Sequence, residues 1–260
     1  MKKKDLIDLE NFFYEYADGF ISNDIIHNRP FLMKKEHTRR VCLEIARLSE
    51  QLSLSREEKL FAKAAGLLHD IGRFRQYKEH GTFLDAKSVN HAALGCEVIK
   101  QEHILDFCTE KEQQLLLNLV FFHNVFALPK DLDKHNIFLL KLLRDADKLD
   151  IWEVVTDHYL SYDFKNDKFI SLGLKNDDKF SSKVLESIFK GHVVENKFVK
   201  RLNDLKLLQI SWVFDLNFTQ SIKRIQEKGC LEKIFSTFPE TEEIEKVVKY
   251  VRDYIKKSIY

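Results

Sequence analysis

The chain has 260 residues, long enough to bury a sizeable core without disulfide or metal staples. Its 42 basic and 41 acidic side chains leave a formal charge of +1, too even for a general nucleic-acid or membrane-surface binder. The 8 Gly and 3 Pro are about 4% of the chain against roughly 12% in average usage, which excludes collagen-like, all-β and linker-rich classes and leaves a mostly helical protein.

In chain order, MKKKDLIDLE opens on a basic cluster with no apolar run behind it, unlike a signal peptide. A helix is expected near residues 3–20, then a break at Asn28-Arg29-Pro30. Val41, Ile45 and Leu48 recur at helical spacing. Ser55 with Glu58, and Thr109 with Glu112, read as capping boxes that open helices through Leu68 and Phe122. Between them a loop is expected over Gly72–Asp85 and a helix over 88–103. The longest apolar block, Leu115–Phe126, is interrupted by Asn118, His123 and Asn124 and is too short to span a bilayer. Further helices are expected near 136–160, 180–190, 197–227 and 241–257, the last after Pro239, with breaks at Ala127–Asn136 and Asn166–Asp178. The polar stretch FKNDKFISLGLKNDDKF divides the chain into 1–160 and an accessory helical region 161–260, packed on the same body. The aromatic run SWVFDLNF, with Trp212, Phe214 and Phe218, reads as core. Four scattered cysteines without a C-x-x-C pair argue against a secreted disulfide framework, so a cytoplasmic protein is expected.

Eight of the 10 histidines precede residue 136. Five members of one pattern sit in distinctive settings, beginning with His37 in EHTRRV at the start of an expected helix. His69-Asp70 closes the apolar helix AAGLLHDIGRF. His91 opens SVNHAALGCEVI, where Gly95 one turn on admits a neighbouring backbone. His123 ends LLLNLVFFHN, and Asp147 lies in LLRDADKLDIW. Imidazole and carboxylate are good ligands for Zn, Mn and Fe, and a carboxylate can bridge two cations, so four His and two Asp suffice for two partly open sites. Taken alone, His123 reads as a packed core histidine or a helix C-cap cation more readily than as a ligand, and it is the ordered pattern that makes it one. Asp145 and Asp150 compete with Asp147, Asp150 as a surface ion pair. His103 and His135 lie in charged surroundings and read as surface residues; His80 does too, but its loop lies beside the site.

The ordered set His37, His69-Asp70, Asp147 resembles the signature of the HD-domain superfamily of metal-dependent phosphohydrolases, over residues 30–160. The resemblance implies an all-α HD-like helical bundle with additional C-terminal helices. It implies a metal held by His37, His69, Asp70 and Asp147. The additional His91 and His123 resemble the two-metal versions, in which Asp70 would bridge to a second ion. One or two divalent transition metals (Mn, Fe, Zn, Ni or Co) are then the expected cofactors, and a small phosphate ester of nucleotide type the expected substrate. Arg73, where relatives carry Lys, adds bidentate geometry suited to phosphate. Lys148, Arg40, Arg144 and His80 are further candidate contacts, and Gln76 and Tyr77 could line the same pocket.

The expected chemistry is in-line attack on phosphorus by a metal-activated hydroxide, with Asp70 and Arg73 as the catalytic pair. Two rivals follow from the same residues: a mixed-valence di-iron oxygenase of the same superfamily, and a non-catalytic nucleotide sensor.

Overall fold

The computed structural model describes residues 1–161 and 172–259. The fold is all-α: among the described residues the only β pairing is an isolated bridge between Lys175 and Arg201. The chain forms two compact units, Met1–Asp147 and Lys148–Tyr260. Residues 162–171, which include the first part of the expected dividing stretch, lie outside the described residues.

The first unit holds α1 (Lys3–Asp18), α2 (Ile25–Gln51), α3 (Arg56–Leu68), α4 (Gly72–His80), α5 (His91–Gln101), α6 (Glu110–Phe122) and the first half of α7 (Lys134–Leu160). Both capping boxes form. The Ser55 N–H donates to Glu58 Oε2 at 2.8 Å and Glu58 N–H returns to Ser55 Oγ at 3.2 Å. Thr109 and Glu112 repeat the exchange at 2.9 and 3.4 Å. α3 packs against α1, α2 and α6, and α5 lies between α4 and α6. An aromatic cluster joins three of these helices: the Phe74 ring of α4 lies 6.0 Å from Phe13 of α1 and 6.5 Å from Phe31 of α2.

Three expectations are corrected here. Pro30 does not break the chain but lies inside α2. It sits only six residues into the helix, where it removes a single ladder bond near the capped end. His27 N–H there donates to Asp24 Oδ1 at 3.2 Å. His37 is therefore mid-helix, not at a helix start. Most of Gly72–Asp85 is helix α4, which ends on Gly81 in the left-handed region at φ +64°.

The second unit holds the rest of α7, α8 (Ser182–Phe189), α9 (Leu202–Ser211), α10 (Thr219–Lys228), α11 (Cys230–Phe235) and α12 (Glu242–Ile259). α8 packs on α9 and α12, and α10 on α11 and α12. Trp152 is fully buried, its Nε1–H donating to the Gln209 carbonyl at 2.9 Å. The expected helix 197–227 is interrupted: a 3-10 turn at Trp212–Asp215 leads into extended backbone at Leu216 and Phe218. Trp212, Phe214 and Phe218 are half-buried, at the margin of this core and not within it. No helix among the described residues is long and apolar enough to cross a membrane.

Candidate metal centre

Six side chains of the first unit converge. Asp70, just past the end of α3, presents its two carboxylate oxygens to two different pairs of imidazoles. Oδ2 lies 3.6 Å from His37 Nε2 and 3.7 Å from His69 Nε2. Oδ1 lies 3.4 Å from His91 Nε2 and 3.8 Å from His123 Nε2. Within each pair the Nε2 atoms are close, 3.3 Å for His37–His69 and 3.1 Å for His91–His123. Asp147 joins the first pair, with Oδ1 at 3.1 Å from His37 Nε2 and 3.8 Å from His69 Nε2.

Local structure fixes these rings. His69 and His123 each follow the last residue of a helix, and each Nδ1 meets a backbone carbonyl three residues back: Gly66 O at 2.8 Å and Val120 O at 2.7 Å. A carbonyl only accepts, so Nδ1 carries the proton and the Nε2 lone pair faces the cluster. Arg144, buried, donates through Nη1 to the His123 and Val125 carbonyls at 3.0 and 2.6 Å and so ties down the end of α6. His91 is the first residue of α5, behind the Asn90 cap whose Oδ1 accepts from Ala93 N–H at 2.9 Å. Its Nδ1 meets Asp85 Oδ2 at 2.7 Å, which again leaves Nε2 as a lone-pair donor. Gly95 admits the close approach, but Gly72 is the tighter position: a Cβ there would stand 2.3 Å from His91 O and 2.5 Å from Gly95 N.

Electrostatics separates the groups. Burial pushes His69 below its ordinary value and His123 down to about 3, so both rings are neutral near pH 7. His123 is thus no C-cap cation. Burial would raise the carboxyl of Asp70, but Lys34, the surrounding imidazoles and Arg73 outweigh it and hold the group well below the usual range. For Asp147, burial is likewise overcome by the hydrogen bond and charge of His37.

The donor set fits divalent cations. Ligand atoms ~2.0–2.2 Å from a tetrahedral ion stand ~3.3–3.6 Å apart, close to the spacings here. In the second pair the Nε2 lone pairs of His91 and His123, 3.1 Å apart, repel unless a proton or cation lies between them. Two groups satisfy mutual ligand spacing, His37–His69–Asp70 and Asp70–His91–His123, all buried and sharing Asp70.

The remaining candidates are placed differently. Arg73 spends its Nε on Asp70 Oδ1 at 3.4 Å, and its Nη1 on Gln76 Oε1, Phe83 O and Asp85 Oδ1 at 3.0, 2.6 and 3.0 Å. Lys148 belongs to the second unit, where its ammonium pairs with Asp215 Oδ2 at 2.8 Å. Arg40 is half-buried on α2, three residues beyond His37. His80 is exposed at the end of α4, 4.0 Å from Glu79. Asp145 is fully buried, and so is Asp150, which is no surface ion pair. His103 and His135 are exposed, as expected.

Two residues at the site had not been singled out. Lys34 donates to Asp70 Oδ2 at 2.7 Å. Its signal was its place three residues before His37, on the same face of one helix. Asp85, behind His91, offered only its proximity in sequence.

Residues 35–152 match the family model of the HD domain, a span that contains all six converging side chains. The superfamily is one of metal-dependent hydrolases. No curated protein and no solved structure matched the chain.

Proposed function

We propose that the protein is a metal-dependent phosphohydrolase that cleaves a phosphomonoester or phosphodiester of nucleotide type. One observation carries the reading: the two oxygens of a single buried carboxylate, Asp70, face two separate pairs of imidazole Nε2 atoms. That arrangement suits two cations sharing one carboxylate. His37, His69, Asp70 and Asp147 would hold one, and Asp70, His91 and His123 the other. Divalent cations so held supply a nucleophilic hydroxide near neutral pH and neutralise charge on phosphoryl oxygens.

The chain's own residues supply the rest. Neutral His69 and His123 keep their Nε2 atoms unprotonated and aimed inward. Asp70 and Asp147 stay ionised through the working pH range. Lys34 and Arg73 bring two positive charges against the shared carboxylate, one on each oxygen, and we assign them to the substrate's phosphoryl group. The ammonium of Lys34 rides a flexible stem that can follow an anion; Arg73 is held in place by four acceptors. With two divalent cations held, the two carboxylates Asp70 and Asp147 would be outweighed by the ions together with Lys34 and Arg73, and a net positive site favours an anionic ester over an uncharged substrate.

The test is a phosphate-release screen over nucleotides with Mn, Zn, Ni and Fe, run beside oxygen uptake. Phosphate release dependent on added metal is expected. Iron-dependent oxygen consumption without hydrolysis would promote the oxygenase built on the same six residues. Tight nucleotide binding with neither activity would make the protein a sensor.

A further inference from the structure

One carboxylate at the site points at the back of a ring instead of into the cluster. Asp85 Oδ2 lies 2.7 Å from His91 Nδ1, while Oδ1 receives Arg73 Nη1 at 3.0 Å and Gln76 Nε2 at 2.8 Å. Gln76 is fully buried, and its amide also donates to Ser88 Oγ and the Val89 carbonyl, both at 2.9 Å. The short 3-10 turn Asp85–Lys87 is thereby tied to α4 on one side and to the entry of α5 on the other. Asn124 Nδ2, at 3.5 Å from His91 Nδ1, is too distant to compete.

His91 is unlike the other two anchored rings. The Nδ1 atoms of His69 and His123 rest on neutral backbone carbonyls, whereas that of His91 rests on a carboxylate. A carboxylate behind an imidazole fixes its tautomer and orientation and strengthens it as a donor toward a cation. Two side chains of α4, Arg73 and Gln76, hold Asp85 at once.

We propose that Asp85 is a positioning residue for one side of the cluster: it holds His91 as the Nδ1–H tautomer, aims Nε2 at Asp70 Oδ1, and is itself held by Arg73 and Gln76. The inference rests on the reading of two cation positions given above. It assigns Arg73 an inward task, carried by Nη1, beyond the charge it brings to Asp70. It also makes the two cation positions unequal in their dependence on this loop, because Asp85 reaches the cluster through His91 and Arg73, both on the Oδ1 side of Asp70.

The experiment is a calorimetric titration of Mn²⁺ into metal-stripped full-length protein, for the unaltered chain, Asp85→Ala and Asp85→Asn. It is paired with nitrogen NMR of the histidine rings in the metal-free state. Two binding steps are expected for the unaltered chain. Asp85→Ala should weaken one step by roughly 10–100-fold and leave the other within about twofold. The His91 ring should then pass from the Nδ1–H tautomer to a mixture, with the rings of His69 and His123 unchanged. Asp85→Asn keeps an acceptor oxygen and the side-chain volume, so it should lose less than Asp85→Ala, and it decides the matter if circular dichroism shows that the alanine variant does not fold. Equal weakening of both steps, no weakening of either, a single step in the unaltered chain, or an unmoved His91 tautomer overturns the proposal. Neither readout depends on turnover, so a failed phosphate-release screen would sink the phosphohydrolase reading while leaving the role of Asp85 intact.

Discussion

The two ends of the Asp70 carboxylate are built from similar parts in different surroundings. On the Oδ2 side stand two imidazoles, a second carboxylate from Asp147 and the ammonium of Lys34, so the direct donors carry the negative charge. On the Oδ1 side stand two imidazoles and Arg73, and the additional carboxylate, Asp85, lies behind the His91 ring. One side gathers charge by direct contact; the other draws it through a ring. The first should therefore hold a cation more tightly, and the second should be the more sensitive to its supporting loop.

The largest break in this comparison comes at its shared atom pair. Asp70→Asn removes a charged ligand from both sides and leaves Lys34 and Arg73 facing a neutral amide. Metal content should fall towards zero, with hydrolysis down by at least about a thousandfold, as judged by elemental analysis and a phosphate-release assay. His91→Ala and His123→Ala should each act on one side only, lowering metal content towards one equivalent with the helical circular dichroism largely intact. An unchanged ratio in both would reduce these rings to packing or substrate contacts.

Next in size is the backbone seam that seats the Oδ1 side. Gly72→Ala would place a methyl 2.3 Å from His91 O, against backbone that cannot turn aside. Forcing α4 and α5 apart should cost roughly 1–3 kcal/mol or more, read from a urea or thermal melt. Gly95→Ala, whose Cβ would meet Val120 Cγ1 at 3.3 Å and Gly72 N at 3.5 Å, should cost clearly less.

The fold and much of the cluster were legible because the relevant signals are local. Capping boxes at Ser55 and Thr109, apolar spacing in α2 and α3, and the local settings of the six converging His and Asp side chains can each be read from a short window. What escaped depended on context. Asn28-Arg29-Pro30 was expected to be a break, but near a helix start Pro30 sacrifices one bond, and that moved His37 from a helix start to the middle of α2. α4 has only Gly72, Phe74 and Gln76 buried, so its sequence GRFRQYKEH has no apolar stripe to announce a helix. Lys34 and Asp85 lie near ligands in sequence, yet their importance comes from where Asp70 and His91 turn in three dimensions. Trp212, Phe214 and Phe218 looked like core by composition and proved half-buried, because the chain leaves the helix at that point.

Acid should weaken both sides. Burial keeps His69 and His123 neutral in the folded chain, His123 down to about 3, whereas the unfolded chain protonates them below about pH 6.5. The unfolded state then binds more protons, so this stability is present above about pH 6.5 and lost as pH falls towards 3. For metal-stripped protein, His123 alone should account for about 2 kcal/mol between pH 6.5 and 5, at ~1.4 kcal/mol per pH unit. Urea midpoints at pH 7.5, 6 and 5 would show the decline, and a flat profile would mean the rings are not neutral as folded.

The smallest expected effect falls on Lys34. Replacing it by Met removes one charge-assisted contact worth roughly 1.5–3 kcal/mol, so KM for a phosphate ester should rise about tenfold or somewhat more. The same change frees Asp70 Oδ2 of its competing ammonium, so the Oδ2-side metal step should tighten in a calorimetric titration.

The central claim is that one carboxylate serves two cation positions, and metal content per chain tests it most directly. Elemental analysis of metal-loaded protein should give two equivalents for the unaltered chain, one for His123→Ala and close to none for Asp70→Ala. A single equivalent in the unaltered chain that His123→Ala leaves in place would contradict it.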